Sequence, residues 1–238
     1  SGACSHSADN ACAAGAVLPY AQPFDCGGKH GWALTGVTGG PAWAVDATPA
    51  APVPFTGSCA LNFNNGKDFA CPAGAKKVEG FATSPWLDAT AVQTTYMRLR
   101  FRLAGSWETN NDDEFYVEGT TDGTAWQKIW DASSTSTTSW QYPTLGLSQY
   151  KGKKFRLRFR FFTVDCTGNG GTGPFIDDVR VEDLGCLLDK DCEDGNACTT
   201  HACNSSGSCS TSTKNCNDQI ACTIDTCSAS TGACAHSF

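Results

Sequence analysis

Phe155-Arg156-Leu157-Arg158-Phe159-Arg160-Phe161 alternates strictly between apolar and cationic residues, and Arg98-Leu99-Arg100-Phe101-Arg102-Leu103 does the same. Successive side chains of an extended strand point to opposite faces, so each run sends its Leu and Phe one way and its Arg the other. The run Ile176-Asp177-Asp178-Val179-Arg180-Val181 holds the seventh and last arginine, so all seven sit at alternate positions of predicted strands. Glu114-Phe115-Tyr116-Val117-Glu118 alternates too, with acids in place of the arginines. These stretches predict an antiparallel sheet with one apolar face. Its other face carries Arg98, Arg100, Arg102, Glu114, Tyr116, Glu118, Arg156, Arg158, Arg160 and Arg180. Like charges opposite one another are unfavourable, so an acidic strand should separate the arginine strands, or their guanidinium groups should stack on aromatic rings. That face reads either as a salt-bridged solvent face or as a binding face. A closed lattice of ion pairs would favour the first, an exposed row of aromatics the second.

Working outward, Thr120-Thr-Asp-Gly-Thr124 is a hairpin turn, because Asp-Gly supplies the residues of positive φ that such turns need. Thr48 to Pro54 is proline-rich and reads as a surface crossing. Ser133 to Ser139 reads as a polar loop. No long helix-period pattern occurs. Many short strands separated by turns predict an all-β protein, an antiparallel jelly-roll sandwich.

The chain's end is of another kind. Nine of the fifteen cysteines fall between Cys186 and Phe238, a segment with Phe238 as its only aromatic. Cys192, Cys198, Cys203 and Cys209 are followed by a second copy, Cys216, Cys222, Cys227 and Cys234. So polar a segment cannot bury enough apolar area to fold unaided, and cross-links must supply the stability. Such links persist in an oxidising compartment, so an extracellular location is expected. Ser1 is then expected to follow a removed signal or to lie at the edge of an excised piece. The domain reading is 1–16 as an extension, 17–184 as the sandwich, and 185–238 as a small disulfide-rich region of two repeats.

Spacing suggests local bonds Cys4–Cys12 and Cys59–Cys71. Cys26, Cys166 and Cys186 remain, and the pairing of the eight repeat cysteines stays open. An odd total leaves at least one thiol free or bonded between chains. Cys186, outside the repeats, is the candidate for joining tail to body or one chain to the next. The tail has no C-x-x-C pair, so its cysteines suit disulfides better than zinc. Asn204-Ser205-Ser206 is a glycosylation sequon.

The net charge of −7 divides into 15 Lys/Arg against 18 Asp/Glu in the body and 2 against 6 in the tail. Neither part is a polycation, so nucleic acid is not an expected partner. No run of about 18 apolar residues exists, so membrane insertion is not expected. The four histidines lie in polar or turn-like contexts, and no H-E-x-x-H, G-x-S-x-G or phosphate-binding loop is present. Glu114 and Glu118 lie about 13 Å apart along one strand, too far for a paired-carboxylate glycosidase. A non-enzymatic protein is expected.

A series of marks also runs through the body: Phe24-Asp25, Gly31-Trp32, Trp43, Gly80-Phe-Ala-Thr-Ser-Pro85, Asp122-Gly123 with Trp126, Leu147 to Gly152, and Gly173-Pro-Phe-Ile-Asp-Asp-Val-Arg-Val181. In this order they resemble the MAM-like, concanavalin-like jelly-roll modules of secreted and cell-surface proteins. The likeness is greatest to the accessory domains of immune-inhibitor-A-type metallopeptidases. The tail resembles the cysteine-rich repeat named for Dictyostelium extracellular-matrix proteins. Asp194-Gly-Asn-Ala-Cys198-Thr and Cys222-Thr-Ile-Asp-Thr-Cys227 carry that likeness, and the first copy departs from it at Thr200 and His201.

The resemblance implies a structural cation where first and last strands meet. Asp25, Asp177 and Asp178 are the candidate ligands for calcium, a hard cation that takes roughly six to eight oxygens. It also implies a secreted or surface module for adhesion or recognition of a glycan or protein, or for assembly of a matrix or filament with other copies of itself. The alternatives are an accessory domain of a secreted metallopeptidase and, less favoured, a glycoside-active jelly roll.

Overall fold

The computed structural model describes residues 16–48, 52–92, 96–109 and 112–238. The expected Cys4–Cys12 bond therefore lies outside the described residues. Spatial contacts divide the chain into two units. The larger takes in the described part of Ser1–Gln93 with Arg98–Glu182, and the smaller Asp183–Phe238 with the described part of Thr94–Met97.

The larger unit is a β-sandwich. In chain order its strands are β1 (Ala16–Val17), β2 (Tyr20–Gln22), β3 (Ala33–Leu34), β4 (Ala42–Asp46), β5 (Ala60–Asn64), β6 (Glu79–Thr83) and β7 (Leu87–Asp88). They continue with β8 (Tyr96–Ser106), β9 (Asp113–Thr120), β10 (Gln127–Asp131), β11 (Thr137–Gln141), β12 (Thr144–Gly146), β13 (Lys154–Thr163) and β14 (Gly173–Leu184), the ends of β8 and β14 reaching into the smaller unit. One sheet runs β1-β7-β13-β6-β3, with β9 beside β13 and β10 beside β9. The other runs β11-β8-β14-β5-β4, with β12 on β8 and β2 on β14. The fold is the expected all-β sandwich. Ser133–Ser139 is not wholly loop, because β11 begins at Thr137.

The two alternating runs meet across the core, not within one sheet. β13 buries Phe155, Leu157, Phe159 and Phe161, and β8 buries Met97, Leu99, Phe101 and Leu103. Phe159 lies 5.1 Å from Phe101 of the opposite sheet and stacks on Trp32 at 5.7 Å. Phe161 meets Phe63 of the opposite sheet at 5.3 Å and Phe69 at 5.2 Å. Each buried Phe contributes about 1.5–3 kcal/mol by leaving water, and each aromatic pair about 0.5–1.5 kcal/mol more. Gly80 makes room for this layer: a Cβ there would collide with the Phe63 ring.

Among the described residues two disulfides staple the sandwich, and the expected Cys59–Cys71 bond is not one of them. Cys59 pairs with Cys26, and Cys71 with Cys166, 95 residues away. The pairing of β2 and β5 with neighbouring segments of β14 and the approach of the 165–169 loop to Cys71 decide these partners. Sequence separation does not.

The smaller unit holds two hairpins of one design, β15 (Thr199–Cys203) with β16 (Cys209–Thr213), and β17 (Ile224–Cys227) with β18 (Cys234–Ser237). Four bonds tie it: Cys186–Cys203, Cys192–Cys209, Cys198–Cys227 and Cys216–Cys234. The two copies are not closed units. Cys203 and Cys227 occupy the same place in successive repeats: Cys203 reaches back to Cys186, ahead of the first copy, and Cys227 to Cys198 within it. Cys186 thus bonds within this unit, and the thiol left over is Cys222, exposed in the second repeat.

Phe159→Ala should lower unfolding free energy by about 3–5 kcal/mol, since it empties a site shared by both sheets. Chemical denaturation monitored by tryptophan fluorescence checks this; a loss under about 1 kcal/mol would remove Phe159 from the centre of the core.

Candidate functional site

The arginines expected on one face lie on both outer faces of the sandwich, because β8 and β13 belong to different sheets. On the β13 side, Arg158 sits opposite Glu118 of β9 and its Nε donates to Glu118 Oε2 at 2.5 Å. Arg160 bonds Glu79 of β6 at 2.6 Å and approaches Glu118 at 3.8 Å. Rings fill the gaps: Arg158 lies over Trp126 at 4.1 Å and Phe81 at 4.5 Å, and Arg160 over Phe162 at 4.4 Å. Arg156 donates to the Ser84 carbonyl at 2.7 Å, and burial pulls its pKa down from the usual arginine range. Glu114 accepts from Ser133 Oγ at 2.6 Å. Burial and the neighbouring Glu114 raise the Tyr116 hydroxyl. This is a closed lattice of acid, arginine and ring, the arrangement expected of a salt-bridged solvent face. Glu114 and Glu118 are both engaged in it.

The opposite face is built differently. Glu182 of β14 takes Arg98 at 2.6 Å and Arg100 at 3.5 Å. Asp178 takes Arg180 at 2.8 Å, which raises the arginine further. Arg102 has no carboxylate within 4 Å among the described residues. Its guanidinium carbon instead lies 3.9 Å from the Phe55 ring centre and 3.7 Å from that of Tyr142. Arg100 lies over Tyr142 as well, at 4.3 Å. Trp140 meets Phe55 edge-on at 6.1 Å and is held by its Nε1–H donating to the Val53 carbonyl at 3.0 Å. Arg102 Nε is buried and without a hydrogen-bond partner. Phe55 and Val53 are exposed.

Phe55, Trp140 and Tyr142 were not among the residues expected here. Phe55 directly follows the proline-rich crossing and Trp140 the Ser/Thr run, so local pattern gave no sign that they flank β8. β11 and β12 bring Trp140 and Tyr142 there by pairing with β8 at Thr137↔Gly105, Gln141↔Leu103 and Thr144↔Arg100.

The three expected calcium ligands separate. Asp177 is fully buried, and desolvation raises its pKa. Its oxygens accept from Thr56 N at 2.8 Å, Thr56 Oγ1 at 3.0 Å and Asp178 N at 2.7 Å. The Asp25 carboxylate rests against Gly57, whose φ of +59° and missing Cβ leave it that space. Asp25 and Asp177 thus address one two-residue turn, and the donor set fits a hard cation in part. Asp178 does not join them. Strict alternation would turn it outward, away from Asp177. Its φ is +47°, yet it keeps the side that alternation gives it, the face of Arg180 two residues on, and its carboxylate accepts from that arginine.

In the smaller unit the acids of the 189–195 loop serve the backbone. Asp189 accepts from Cys203 N, Asp191 from Leu187 N and Leu188 N, and Asp194 from Asn196 N. Asn204 is exposed at the β15–β16 turn, with its Oδ1 accepting from Ser206 and Ser208 N–H groups.

No family model matches the sequence, and no curated protein matches it. The likeness to MAM-like modules and to the Dictyostelium repeat therefore rests on the motifs alone. Solved structures similar in fold include TmCBM61 in complex with beta-1,4-galactotriose, at 14% identity over 68% of this chain and 94% of that one, TM-score 0.47. The CBM22-1 xylan-binding domain from Paenibacillus barcinonensis Xyn10C aligns at 12% identity over 71% and 95%, TM-score 0.39. The Endo-D glycoside hydrolase domain from Streptococcus pneumoniae R6 aligns at 16% identity over 66% of this chain and 22% of that one, TM-score 0.42. These structural neighbours are mostly β-sandwich carbohydrate-binding modules.

Proposed function

We propose that this chain is a non-enzymatic, extracellular glycan-binding module. Its sandwich holds an acidic sugar on the Phe55–Arg102–Tyr142 platform, and its repeats form a covalent stalk. The observation that carries this reading is Arg102, the one arginine of its face with no carboxylate partner among the described residues. Guanidinium is a planar fork that matches a carboxylate, and the flanking rings hold it flat without neutralising it. Exposed aromatic edges beside it offer apolar contact to the C–H faces of a sugar ring. Six disulfides among the described residues support the extracellular assignment. Among the described residues no helix is long and apolar enough to cross a membrane.

Assembly with other copies is a second reading, favoured by Cys222. It stands where Cys198 stands in the first repeat, and Cys198 makes the bond to the next repeat. A structural calcium held by Asp25 and Asp177 belongs to the same proposal, with Asp178 left to Arg180.

On an array of uronic-acid-bearing, sialylated and neutral glycans, the intact chain should bind acidic members and lose binding as salt rises. Arg102→Gln should weaken this about tenfold or more, the worth of a charge-assisted hydrogen bond, while Trp126→Ala on the opposite face should not. Silence on every acidic glycan would reject the reading. On non-reducing gels the protein should show dimers that vanish with reductant and are absent from Cys222→Ser; monomer alone before reduction would dismiss covalent assembly. Calcium should raise the thermal midpoint of the wild type and of Asp178→Asn but not of Asp177→Asn. Equal midpoints with calcium and with chelator would remove the ion.

A further inference from the structure

The second repeat carries a group of side chains that neither the platform nor the disulfides employ. Asp218, Asp225 and His236 bring Asp218 Oδ2, Asp225 Oδ1 and His236 Nδ1 within 4.8 Å of one another. His236 Nδ1 lies 2.7 Å from Asp225 Oδ1 and 3.5 Å from Asp218 Oδ2. The hairpin sets this spacing: Asp225 and His236 are directly opposed on β17 and β18, and Asp218 lies in the turn before β17. Each carboxylate keeps its other oxygen for the backbone. Asp218 Oδ1 accepts from Ile220 N at 2.9 Å and Thr223 Oγ1 at 2.9 Å, and Asp225 Oδ2 accepts from Asp218 N at 3.2 Å. The oxygens turned toward the imidazole are the ones left over.

The first repeat supplies a comparison inside the same chain. Its matching positions are Asp194, His201 and Thr211, with His201 opposite Thr211 on β15 and β16. There His201 Nε2 meets Asp194 at 3.1 Å and Nδ1 meets the Thr211 hydroxyl at 3.1 Å. One carboxylate and one imidazole face each other, and the third position offers only a neutral hydroxyl. In the second repeat the same framework holds two carboxylates and one imidazole nitrogen. All three are partly exposed, which leaves one side open to water.

We propose that Asp218, Asp225 and His236 form a binding site for one zinc ion, completed by water, and that the first repeat lacks it. Tetrahedral ligand atoms about 2.0–2.2 Å from one zinc stand roughly 3.3–3.6 Å apart, so the 3.5 Å separation already suits a shared ion and the 2.7 Å one opens by less than about 1 Å to admit it. An imidazole in the set favours zinc over calcium or magnesium, which prefer oxygen alone. The site uses no cysteine and is independent of the glycan platform.

Isothermal titration of the intact, metal-free chain with zinc chloride tests this, with cobalt(II) as the absorbing substitute and calcium as a counter-probe. One zinc per chain should bind. His236→Gln and Asp225→Asn should each weaken binding about tenfold or more. His201→Gln and Cys222→Ser should leave it unchanged, and the cobalt spectrum should lack a thiolate charge-transfer band. Disulfide mapping of each variant separates loss of the site from loss of the fold. No uptake would overturn the proposal and leave His236 as a plain ion-pair partner. Binding that survives His236→Gln, or that disappears with Cys222→Ser, would overturn it equally.

Discussion

Phe159 stacks on Trp32 and meets Phe101 of the other sheet, while its neighbours Arg158 and Arg160 point the opposite way. Much of the sandwich follows from that pair of facts. Because β13 must keep every second residue in the core, its arginines have no choice of side. They need carboxylates in the flanking strands, and Glu118 of β9 and Glu79 of β6 stand there. A one-residue slip would bury guanidinium groups and expose the phenylalanines at once, so the alternation fixes the register of the sheet as firmly as its hydrogen bonds do.

Local patterns of this kind were readable in the sequence. The strands at 98–103, 114–118 and 155–161 lie where alternation predicts them, and the buried and outward positions of β8 and β13 fall as expected. Assignment to sheets was not readable, because alternation says which side a residue takes and nothing about which strand lies next. The arginines therefore came out on two faces of different character. The aromatic partners of Arg102 were invisible for the same reason: Phe55 lies 47 positions away from it and Tyr142 lies 40 positions away, counted along the sequence. Asp178 keeps the outward side that alternation gives it, where Arg180 takes its carboxylate, so the pattern itself separated it from Asp177.

The cysteines give a similar division. Their repeat located the smaller unit and its need for cross-links, since both features come from composition. Partners were another matter. Cys71 finds Cys166 across 95 residues, and Cys198 of the first copy pairs with Cys227 of the second. Counting eight cysteines as two complete sets was the natural reading of the spacing, and the structure replaces it with a staggered one. Cys186 completes the first copy, and Cys222 is left over in the second.

That stagger has a consequence for survival among proteases. The intervals 186–203, 192–209, 198–227 and 216–234 overlap in series, so every peptide bond between Cys186 and Cys234 is spanned by at least one disulfide. A single cut anywhere between Cys186 and Cys234 would open the backbone without releasing a fragment. Between residues 209 and 216 the whole of that insurance is Cys198–Cys227, the bond that crosses from one repeat to the next.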